Sequence, residues 1–224
     1  MPGFDFTRSP VPVRPSIVEA QRAFWNRLAA PGSWWTGEQR VAIAAEARRT
    51  RPLRREPPWL RNIAPPEDGV IPARAVEAVR TIAVDAHNID RPWAEQTLAE
   101  LGEGAYVELV AVTVQITALD AFAEALGLDP QPLPDPQPGS PDRMRPQGLG
   151  DIGAFVPCLL AAPGPNVGRA LSLAPNDNQT FFGLVGSMYA LKDFGELVWQ
   201  DRPLSRPQIE LLAARVSAIN ECFY

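Results

Sequence analysis

Apolar side chains recur at helical spacing along most of this chain. In residues 16–30, Ile17, Ala20, Phe24 and Leu28 share one face, with Ser16 as a candidate N-cap and Pro31-Gly32 as the stop. Thr36-Gly37-Glu38-Gln39 is a capping-box pattern, and Val41, Ala44, Ala45 and Ala47 continue it as a helix to about residue 49. Pro72 opens a helix through Val76, Val79, Ile82 and Ala83, and a shorter helix follows from 90 or 91 to about 101. Residues 105–127 carry several β-branched side chains, which favour strand, but they run for more than 20 positions without a turn signal. Length decides for helix. Apolar on nearly every face, this helix belongs at the centre of the molecule.

Two proline-rich stretches interrupt the pattern. Residues 51–72 include Pro57-Pro58 and Pro65-Pro66 and read as a long connector. Residues 129–148 hold prolines at 130, 132, 134, 136, 138, 141 and 146, which predicts an extended spacer. Beyond it we expect a short helix over 166–173 and a long one over about 176–199, with Phe181, Leu184, Met188 and Leu191 on a stripe. A further helix starts from Ser205. No hairpin signal appears. The fold class is therefore all-α, with a first helical half over 1–128, a proline-rich linker over 129–148 and a second helical half over 149–224.

Composition narrows the function classes. At 224 residues and 46% hydrophobic, the chain can bury a substantial core without a covalent staple. A formal charge of −5 argues against a nucleic-acid footprint. Lys192 is the only lysine; the bias to Arg, Ala, Pro and Gly reads as a GC-rich coding sequence. The longest apolar stretch, 105–128, is broken by Glu108, Gln115, Asp120 and Glu124, so no membrane span is expected. Residues 1–16 lack a signal-peptide core, which predicts a cytoplasmic protein. Two cysteines are too few for a disulfide framework. Cys158 sits in apolar surroundings, Phe155-Val156-Pro157-Cys158-Leu159-Leu160, and reads as structural. His87, in the polar turn 85–88, has no partner His or Cys at ligand spacing, so neither a metal nor another cofactor is expected.

A weak internal repeat links the two halves. Ser205-Arg206-Pro207-Gln208 is a second capping-box start, and an offset of 169 residues brings Leu212, Ala213 and Ala214 opposite Ile43, Ala44 and Ala45. Duplication and chance similarity of two amphipathic helices both stay open. Opposite Glu210 and Cys222 the first copy has Val41 and Leu53, so only the second copy carries groups fit for chemistry.

Residues 204–224 carry the functional signal: Glu210 opens an aliphatic helix, and Cys222 follows twelve residues later in Asn220-Glu221-Cys222-Phe223-Tyr224. This segment resembles the signature of the alkylhydroperoxidase D-like, carboxymuconolactone decarboxylase-like superfamily, in its peroxidase-related branch. There a Glu precedes a Cys-x-x-Cys pair by this spacing and a His follows. The resemblance implies a helical bundle of that type with two degenerate repeat halves, and a thiol- or selenol-dependent peroxidase reducing hydroperoxides. It implies Cys222 as the resolving thiol, Glu210 in proton relay, and a homo-oligomer using a thiol reductant. The second thiol would be the residue after Tyr224 and the His would lie four beyond, so the motif is incomplete in this chain. A selenocysteine codon read as stop, a frameshift or fragment, and natural loss of activity all stay open as causes, and a helical scaffold without catalysis is the alternative function.

The chemistry sets a geometric demand. A straight helix would hold Glu210 roughly 18 Å from Cys222 at 1.5 Å per residue, too far for a proton relay. The helix is therefore expected to break near 218–220, with Asn220 as the N-cap of a new helix whose free amides favour the Cys222 thiolate.

Overall fold

The fold is all-α, as the hydrophobic periodicity predicts. A computed structural model describes residues 4, 6–57, 60–61, 69–161, 166–189 and 203–222. Among these lie seven α-helices: α1 (Pro15–Ala29), α2 (Gly37–Thr50), α3 (Ala73–Asp85), α4 (Arg91–Leu101), α5 (Glu103–Ala125), α6 (Pro175–Met188) and α7 (Arg206–Ile219). Proline sets the starts of α1 and α6, where its missing N–H is not needed and its fixed φ suits the first turn. The Thr36 hydroxyl accepts from the Gln39 N–H and the Gln39 side chain returns to the Thr36 N–H, so α2 opens on the expected capping box. Asp90 caps α4 through the Trp93 N–H.

Helix α5 runs through the middle, packed by α2, α3, α4 and α6, while α1 lies across α2 and α6. Its length and composition alone would suit a bilayer crossing, yet 67% of that apolar window is buried within the bundle. One face of α5 meets Phe24, Leu28, Ile43 and Val79 through Leu109, Val112 and Ile116. The opposite face meets Leu171, Leu173 and Ala174 through Tyr106, Val107 and Ala111. Each large side chain sealed here contributes roughly 1.5–3 kcal/mol. Helices α4 and α5 meet at Gly102, whose φ of +81° lets the chain turn without a loop.

Several expectations are refined. The stretch over 166–173 forms only a 3₁₀ turn, Asn166–Arg169, because Pro175 pushes the residue before it out of the α region. Helix α6 is seen to Met188; the expected continuation, including Leu191 and Trp199, lies outside the described residues. A short antiparallel ladder pairs Leu149–Gly150 with Cys158–Leu159, too brief for alternation to announce it. The proline-rich segment is free of helix and strand, and it is bonded along the first helical half. Trp25 Nε1 donates to Pro132 O at 3.1 Å, Gln137 N–H to Ala29 O at 2.8 Å, and Arg143 N–H to Ser33 O at 2.9 Å.

Candidate functional site

Two polar constellations stand out, one sealed and one open. In the sealed one, Arg40 of α2 donates to Glu108 of α5 and, at 2.6 Å, to Asp177 of α6, and none of the three side chains is exposed. Arg27 of α1 reaches Asp177 Oδ2 at 2.8 Å, and the Trp34 N–H donates to Glu108 Oε2 at 2.7 Å. Gly32 leaves the Glu108 carboxylate its room, since a Cβ there would overlap Glu108 Oε1. Burial works against the Arg40 charge, but Asp177 and Glu108 outweigh it and hold its pKa above the ordinary arginine value. Burial also pushes the Glu108 carboxyl up, against the pull of Arg40. Two guanidinium groups face two carboxyl groups and cross-link four helices, with only Arg27 partly open to water.

The open constellation sits at the C-terminal end of α7. The helix ends at Ile219, Glu221 turns into the left-handed region at φ +53°, and the Cys222 N–H donates to Ser217 O at 2.9 Å. The helix ends within the expected 218–220 stretch, but that end does not bring Glu210 to Cys222. Asn220 has a different place from the expected one: it closes α7, because the backbone hydrogen bonds of this turn run back to Val216, Ser217 and Ala218. Residues 223 and 224, where a new helix would begin, lie outside the described residues. Cys222 is exposed, at the end of a helix whose dipole presents its negative pole and with its own N–H taken by Ser217 O, so the amides expected to favour its thiolate are not supplied by this turn. Cys158 is buried, with its thiol pushed up by burial against the pull of Arg169, which keeps it protonated and inert.

Glu210 lies in the first half of α7, where it accepts from the Tyr189 hydroxyl at 2.7 Å and faces Arg206 Nε at 3.4 Å. Burial and the bond to Glu210 raise the Tyr189 pKa, so this phenol stays a donor. The unbroken helix from Glu210 to Ile219 spans roughly 13 Å, so the two sequence-selected residues occupy opposite ends of α7.

What surrounds Cys222 comes from elsewhere. The 3₁₀ turn Ala86–Asn88 brings His87 Nε2 to 3.3 Å from the Glu221 carboxylate. The 3₁₀ turn Arg51–Arg55 brings Arg54 Nη2 to 2.7 Å from Asn220 Oδ1. Neither contact is visible in residue spacing, because each spans more than 100 positions. The sealed cluster left a fainter signal: Glu108 stands in an otherwise apolar run, and Arg40 shares the face of Ile43, Ala44 and Ala47. No protein-family model, curated protein or solved structure matches the chain.

Proposed function

We propose that this chain is a thiol-dependent peroxidase subunit, an alkylhydroperoxidase D-like helical bundle of two related halves, with Cys222 as its redox thiol. The observation that carries the reading is the end of α7. Helix α7 ends at Ile219 and leaves Cys222 exposed, next to Glu221 and Asn220, which meet the chain's single histidine and an arginine.

The reaction follows from these groups. Cys222, the resolving thiol by resemblance, takes the attacking role in this chain: its thiolate attacks the terminal oxygen of a hydroperoxide, an S–O bond forms, the O–O bond breaks, and the alcohol leaves with a proton. Sulfur is oxidised by two electrons to a sulfenic acid, which a thiol reductant converts to a mixed disulfide and water before a second thiol restores Cys222. In this reading His87, next to Glu221, takes the proton-passing task that the resemblance gave to Glu210 and a more distant His. Glu210 then positions Tyr189 and Arg206 at the far end of the helix. The expected partners are a small hydroperoxide, a thiol donor and further copies of the chain, in the cytoplasm.

Sulfenic-acid trapping tests this. Exposing the intact chain to an organic hydroperoxide with a dione probe should label Cys222 and leave Cys158 unlabelled, and His87→Ala should slow labelling about tenfold or more. If Cys222 remains unlabelled, the second reading, a helical scaffold, takes over. One observation favours it: α7 turns Leu211, Leu212, Val216 and Ile219 outward.

A further inference from the structure

An open cleft of about 740 Å³ lies between the Arg51–Arg55 turn, α3, α5 and the end of α7. Its volume suits a small organic ligand. Arg51, Arg54 and Arg55 line it together with the carboxylates Asp120, Glu124 and Asp129, of which Arg48 holds Asp120 and Arg8 reaches Asp129 at 3.7 Å, while Leu128 and Ile219 give it an apolar part. The three arginines are not equivalent. Glu124 takes Arg51 at 2.8 Å and also pairs with Arg55. Arg54 instead donates to the uncharged amide oxygen of Asn220, and no carboxylate among the described residues pairs with it. The cleft also holds Thr117, whose buried Oγ1 makes no hydrogen bond. A cation without a carboxylate partner among the described residues, beside apolar walls, describes a receptor for a molecule that is anionic at one end and apolar at the other.

Cys222 is close. Asn220 lines the cleft, and two peptide steps of 3.8 Å keep the Cys222 Cα within about 7.6 Å of the Asn220 Cα.

We propose that this cleft binds an amphiphilic organic anion, its acid group on Arg54 and its apolar body against Leu128 and Ile219. Resting on the peroxidase reading, this makes the substrate class an acidic organic hydroperoxide, such as one carried on an aliphatic carboxylate. Arg54 is then a specificity residue: it holds the carboxylate and presents the peroxide oxygen to the neighbouring thiol.

Alkylation of Cys222 by iodoacetate and by iodoacetamide, at low ionic strength, with a free thiol such as glutathione in the same reaction as the reference for the two reagents, tests the cleft without any peroxide. The ratio of the iodoacetate to the iodoacetamide rate should fall about three- to fivefold in Arg54→Gln and recover in Arg54→Lys. Octanoate should protect Cys222 in the parent chain and not in Arg54→Gln. An unchanged ratio in Arg54→Gln, or equal protection of both chains, would overturn the proposal. Because alkylation needs no hydroperoxide chemistry, failure of sulfenic-acid trapping alone would remove the peroxidase reading and leave the anion cleft standing.

Discussion

Helices α2 and α7 begin alike and end up in opposite surroundings. The offset of 169 residues carries Gly37–Thr50 onto Arg206–Ile219 without a gap, and both helices start on a Ser/Thr cap with Gln three residues on. In α2 the face formed by Ile43, Ala47 and Thr50 is 0% exposed. The corresponding Leu212, Val216 and Ile219 of α7 are 56%, 55% and 62% exposed, although two of the three are larger and all are apolar. Helix α7 turns its other side inward, holding the body through Arg54–Asn220 and Tyr189–Glu210. The pair teaches that a cap and an apolar stripe specify a helix and a face, while partners decide whether that face is buried.

The largest effect should come from the residue α2 has and α7 lacks. Opposite Ile209 stands Arg40, and Arg40→Ala would leave the buried Glu108 and Asp177 carboxylates with Arg27 alone. Urea denaturation should show a loss of about 3–5 kcal/mol. Next comes the matched truncation: Ile43→Ala should cost about 2–4 kcal/mol, and Leu212→Ala less than about 0.5 kcal/mol. Equal losses would mean that α7 is packed in solution, and concentration dependence of the Leu212→Ala midpoint would point to another copy as its cover. The smallest contrast is at the caps. Thr36→Ala should lower stability by about 1 kcal/mol. Ser205→Ala should leave the global midpoint unchanged, since α7 can fray without exposing the core, and its effect should show as faster amide exchange across α7 alone.

Most helices were legible because long amphipathic or wholly apolar runs bounded by Pro, Gly and cap residues leave few alternatives. The boundary of α5 follows from Gly102, and its burial from the absence of a polar face. The 166–173 stretch was expected as a short helix of its own, but only Asn166–Arg169 is a 3₁₀ turn and the residues up to Ala174 continue as single hydrogen-bonded turns before α6. At the candidate site, an end to the helix near 218–220 could be reasoned from spacing and helix rise, both one-dimensional quantities, although it leaves Glu210 at the far end of α7. The partners of Glu221 and Asn220 could not. His87 and Arg54 arrive on separate turns, and no local pattern in the chain encodes that meeting.

The sealed cluster also has a consequence for how the protein is made. Asp177 follows Arg40 by 137 residues, so a ribosome adding about 5–20 residues per second delivers the carboxylate roughly 7–27 seconds after the guanidinium. During that interval α1, α2 and α5 can gather, but they enclose two positive charges against one negative. The emerging chain thus holds an electrostatic vacancy at its centre that only α6 fills, which makes docking of the second half the step that commits the first.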